Sequence, residues 1–115
     1  MSALVYRSPL GGARRFAPWV VALGASSGVY VIRSAATRQV LYVGESHTGR
    51  LRKTLLRHFQ AWSDDKVRRH FVIRPESVEV AVRLCPPSAA PGAQDRLIQR
   101  LQPKHNRNGF EPGPF

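Results

Sequence analysis

Acidic residues are scarce in this 115-residue chain: 7 Asp and Glu stand against 18 Lys and Arg, a formal net charge of +11. Cysteine is nearly absent. The single Cys85 excludes an internal disulfide, and no CxxC or His/Cys cluster offers a zinc site. Cys85 follows an alternating apolar run and reads as a small residue at a strand end. No stretch reaches the ~18 apolar residues that cross a bilayer. The nearest approach to a secretory leader, Phe16 to Ala25 behind Arg14 and Arg15, is short, is broken by Pro18 and begins late. A cytoplasmic protein is the expectation. No internal repeat is visible, which excludes a solenoid.

What is present points to one folded domain. Hydrophobic residues make up 43% of the chain, too many for global disorder even at this charge. The length suits one core, which typically takes ~100–150 residues. A charge of +11 raises the local concentration of polyanions, of which nucleic acid is the commonest. A small basic ribosomal or RNA-associated protein is one reading of composition alone.

Residues 1–26, with Pro9, Gly11, Gly12, Pro18 and Gly24, read as an irregular arm with a short strand around Trp19 to Leu23. The pattern then sharpens. Val29 to Ser34 and Gln39 to Val43 are rich in β-branched and aromatic residues around a small polar break, an antiparallel hairpin that Gly44 ends. Leu51, Leu55, Leu56, Phe59 and Trp62 recur at helical spacing, predicting a helix over Arg50 to Trp62. Asp64 and Asp65 are placed to cap a second helix toward Phe71. Val78, Val80, Val82 and Leu84 alternate as a third strand. Ala93 to Leu101 forms a last helix before Pro103, and residues 108–115 a loose, turn-rich tail. The expected architecture is α+β: a small, mostly antiparallel three-stranded sheet flanked by helices, in the order β-β-α-(α)-β-α.

The hairpin strands each hold a tyrosine in a compact triplet, Gly28-Val29-Tyr30 and Tyr42-Val43-Gly44. A basic helix and a third strand follow, and the last helix runs into Pro103-Lys104-His105-Asn106. Over residues 27–107 this combination resembles the GIY-YIG endonuclease superfamily. The resemblance implies hydrolysis of DNA phosphodiester bonds with one divalent cation, Mg²⁺ or Mn²⁺. It places Tyr30 and Tyr42 in the catalytic pocket, one of them activating water, with Gly44 and Asn106 supporting the site. It also implies an arginine on the first helix beside the phosphate and a glutamate on the last helix holding the cation. Such hydrolysis needs a base for water, positive charge at the phosphorane and a Lewis acid near the leaving oxygen.

For the arginine, Arg50 and Arg57 lie about 20° apart on the helix, His58 about 80° from Arg50, and Arg52 about 140° from Arg57. The family's Arg-His pattern matches Arg57 and His58. We therefore expect Arg50, which shares that face and opens the helix, at the phosphate, with Arg52 as the alternative and His58 in the site. Arg52, Lys53, Arg57, Arg69 and Lys104 are expected to bind nucleic acid, with Lys66, Arg68, His70, Arg100 and Arg107 adding charge. Phe59, Trp62 and Phe71 read as core rather than as base-stacking residues.

The pattern breaks at the cation position. The family's glutamate stands three residues before a Leu-Ile pair, and Leu97-Ile98 places Gln94 there. Gln94 lies about 40° from Ile98 and 20° from Leu101, on the apolar stripe, whereas Asp95 is rotated about 100° away. A neutral carboxamide is a poor ligand for a hard dication. Weak cation binding and slow or absent cutting are expected. Two origins stay open, a relative that binds DNA without cutting it and a glutamate exchanged for glutamine. Glu45, directly after Gly44, is an alternative ligand.

Overall fold

The computed structural model describes residues 3–12, 15–59 and 73–106. The N-terminal arm is more ordered than its composition implies. Strands β1 (Leu10–Gly12) and β2 (Arg15–Phe16) pair antiparallel and lead into helix α1 (Pro18–Val21). The strand expected around Trp19 to Leu23 is thus a helical turn. Pro18 takes the first helical position, where its fixed φ suits a helix and its missing N–H is no loss. One turn also brings Val20 and Leu23 to the same side, and both are buried with Ala17. The stretch that looked faintly like a leader is therefore core. No helix among the described residues is long and apolar enough to cross a membrane.

The frame is a three-stranded antiparallel sheet of β3 (Gly28–Ser34), β4 (Val40–Ser46) and β5 (Val78–Leu84), in the order β4-β3-β5. Gly44 does not end its strand. It pairs with Tyr30, and the ladder runs on through Val29–Glu45 and Gly28–Ser46. A register shift beyond Ile32–Tyr42 leaves Leu41 as an extra residue before Arg33 meets Val40. The helix expected over Arg50 to Trp62 is α-helical only over α2 (Leu51–Leu56) and tightens to a 3-10 turn at Arg57–Phe59. Helix α3 spans Ala90–Leu101 and ends on left-handed Gln102. Trp62, the second helix, Arg69 and its basic neighbours, Arg107 and the tail lie outside the described residues.

Alternation along the strands divides the interior in two. Tyr30, Ile32, Tyr42, Val78 and Val80 face α1 and α2, where Val20, Leu51 and Leu55 complete the layer. Val29, Val31, Val43 and Ala81 face α3 through Leu97, with Ala93, Ile98 and Leu101 around it. Helix α3 starts near the end of β5, where the Cys85 N–H donates to the Ser27 carbonyl. It finishes beside the start of β4, where the Lys104 and His105 N–H groups donate to the Val40 and Leu41 carbonyls. The first half of α3, including Gln94, therefore overlies the sheet end that holds Glu45. On the opposite edge Arg7 exchanges two backbone hydrogen bonds with Val80, so chain covers both outer strands.

Candidate active site

Both triplet glycines have a steric reason. A Cβ at Gly28 (φ +157°) would overlap the Arg83 carbonyl, and one at Gly44 would overlap the Tyr30 ring and hydroxyl. The Tyr30 phenol thus lies across bare backbone on the neighbouring strand, directed at the helix that follows β4. Waiting there is His58, whose Nε2 is 2.8 Å from the Tyr30 hydroxyl oxygen. The imidazole also packs on Tyr42, with ring centroids 4.6 Å apart, against 5.6 Å to Tyr30 and 6.3 Å between the two tyrosines. Tyr30 is 0%, His58 1% and Tyr42 6% exposed, so the cluster is closed in the free chain.

Burial pushes the Tyr30 phenol well above its ordinary 10, and the charges of Tyr42 and Glu45 push it further. Arg57 pulls it down, without reversing the shift. A phenol that keeps its proton must donate it to Nε2, so His58 is the neutral tautomer with its own proton on Nδ1. The sequence reading expected a phosphate-and-water pocket to satisfy these hydroxyls; for Tyr30 the partner is the imidazole. The 3-10 turn carries both His58 and Arg57 to this point.

Asn106 braces the cluster from the edge. Its Oδ1 accepts from the Val43 N–H at 2.7 Å and its Nδ2 donates to the Val43 carbonyl at 3.0 Å. Both backbone groups of the residue between Tyr42 and Gly44 are held by one side chain, itself 8% exposed.

The arginines divide differently from the sequence expectation. Arg50 is exposed and, with Arg52, Lys53, Gly24, Ala25 and Gly49, lines a groove of about 300 Å³ at the start of α2. Arg52 donates to the Val21 carbonyl at 3.3 Å. Arg57, half-buried, is the helix arginine whose charge acts on Tyr30. Lys104 is exposed beside the start of β4. Gln94 is half-buried on the inner side of α3, across the sheet from the tyrosine rings.

The donor set does not fit a hard dication at position 94. A carboxamide supplies one neutral carbonyl, and no group of three His, Cys, Asp or Glu able to hold a metal occurs among the described residues. The described carboxylates are Glu45, Glu76, Glu79 and Asp95. Glu79 pairs with Arg33 at 2.8 Å and Glu76 lies near Arg74, both toward the far end of the sheet. Asp95 is exposed on α3. Glu45 is the carboxylate at the tyrosine end, bonded to His47. His47 was not singled out in the sequence because the strand was expected to stop at Gly44; continued alternation would have put Glu45 and His47 on one side. No protein-family model matches the chain, and no curated protein matches it.

Proposed function

We propose that this chain is a DNA endonuclease domain of GIY-YIG type, weakened at its cation position by Gln94. The observation that carries the reading is the buried Tyr30–His58–Tyr42 cluster over Gly44. Burying a hydroxyl and an imidazole costs more than burying the valines that line the other face, and the pairing has a chemical use. Water entering beside Tyr30 gives its proton to the phenol oxygen as the phenol passes its own to His58 Nε2. The hydroxide oxygen bonds to phosphorus, and the bond to the leaving oxygen breaks with its electron pair. No free phenolate forms, which suits a group whose ionisation is so disfavoured.

Arg57 supplies positive charge beside this relay, and the groove of Arg50, Arg52 and Lys53 offers contacts to flanking phosphates. The relay requires the wall around Tyr30, 0% exposed in the free chain, to open on DNA. That closure, with the neutral residue at position 94, favours a second reading, a catalytically silent nucleic-acid-binding module on the same fold.

Gln94→Glu separates the two. Nicking of supercoiled plasmid and cutting of single strands with Mg²⁺ or Mn²⁺ should rise about 100-fold, because a bound cation supplies several kcal/mol of transition-state stabilisation. No gain with DNA affinity unchanged supports the silent binder. Loss of both readings follows if neither form binds DNA, and tighter binding of RNA than DNA at matched salt points to an RNA-associated protein.

A further inference from the structure

We propose that Glu45 and His47 together form the divalent-cation position of this chain, taking over from residue 94 and selecting Mn²⁺ over Mg²⁺. The inference deepens the nuclease reading and rests on it for its purpose, although the binding itself does not require catalysis. The His47 Nδ1 lies 3.0 and 3.1 Å from the two Glu45 carboxylate oxygens. Two ligands at about 2.1 Å from one ion and at right angles to each other stand about 3.0 Å apart, so the pair already has the bite of adjacent octahedral positions. Hard dications in phosphoryl-transfer sites are commonly held by one or two side chains, with water and substrate phosphate filling the rest. A two-residue site is therefore sufficient, provided it is open. The Glu45 side chain is 16% exposed and that of His47 54%, which leaves the remaining positions to solvent and substrate.

The location fits a cation that serves the same site. Glu45 follows Gly44, the residue beneath the Tyr30 hydroxyl, and its Cα lies one 3.8 Å step further along β4. Its charge is felt at Tyr30. By alternation Glu45 shares the face of Val43, which is the face covered by α3 and so by Gln94. Moving the carboxylate from α3 to β4 thus keeps the charge on the same layer and at the same end of the sheet. The nitrogen donor accounts for the selectivity, since Mg²⁺ prefers oxygen alone and Mn²⁺ accepts imidazole more readily.

The test uses the whole chain with Mn²⁺ alone and no DNA. Paramagnetic broadening in ¹H–¹⁵N spectra should centre on Gly44 to His47, with Mg²⁺ reversing it only at higher concentration. Glu45→Gln should weaken apparent Mn²⁺ affinity about tenfold or more, and His47→Gln severalfold. Both positions are at the surface, and unshifted resonances elsewhere in the spectra report that each variant is folded. Broadening that is centred elsewhere, or that survives both substitutions, overturns the proposal. The nuclease reading fails separately, if Gln94→Glu neither nicks DNA nor binds it.

Discussion

Val29, Val31 and Val43 alternate along two strands with Tyr30, Ile32 and Tyr42, yet the two faces they form are of different kinds. Toward α3 the sheet presents valine and alanine to leucine and isoleucine, and none of those side chains needs a partner. Its polar contacts stay at the rim, where Arg33 meets Glu79 at 2.8 Å and lies 3.7 Å over the Tyr6 ring. Toward α2 a phenol and an imidazole are taken almost wholly out of water and must satisfy each other. The first face holds the domain together by area alone. The second accepts a desolvation cost, and its register, its glycine and its edge clamp all serve to keep three rings in one arrangement.

The sharpest way to break this comparison is to disturb that arrangement sterically. Gly44→Ala places a methyl group inside the Tyr30 ring, which has no room to retreat, and should destabilise the fold by about 3 kcal/mol in chemical denaturation. Val31→Ala on the other face should cost about 2 kcal/mol, from two lost methyl groups and the space they leave. That cost should not vary with pH.

Tyr30→Phe sharpens the contrast. It leaves His58 Nε2 without its donor and should cost about 1–2 kcal/mol at neutral pH. Here the cost does depend on pH. The folded-state phenol titrates above its unfolded value of 10, so its contribution is fully present below pH 10 and is lost as pH rises toward the folded value. The stability gap between the native chain and Tyr30→Phe should be flat below that point. Above pH 10 it should narrow by about 1.4 kcal/mol per pH unit. A gap that widens with pH would contradict the assigned donor. Smallest of all, Glu79→Gln at the rim should change stability by less than about 1 kcal/mol, an effect that salt reduces.

Much of the frame was legible in the residues. Strict alternation over Val78 to Leu84 and helical spacing before Pro103 each admit one reading, and both elements form as expected. Elements that failed locally did so because tertiary packing outweighed local pattern. Val20 and Val21 favour a strand by type, but Pro18 and the demand to bury Val20 with Leu23 make a helix. Gly44 resembles a strand end until the opposing Tyr30 ring is placed on it; only then is it clear why the strand continues and why Glu45 and His47 come together. Angular position on an ideal helix favoured Arg50 near the phosphate. The change to a 3-10 turn after Leu56 instead brings Arg57 and His58 to the tyrosines.

The central claim is that the Tyr30–His58 pair exists for proton transfer at phosphorus and not for packing. It is tested most directly by metal-dependent plasmid nicking in the Gln94→Glu background, with and without Tyr30→Phe, at concentrations that saturate DNA binding. A working relay predicts that removing the hydroxyl lowers the nicking rate about 100-fold or more while DNA affinity is unchanged. Equal rates with tyrosine and phenylalanine at position 30 would contradict it.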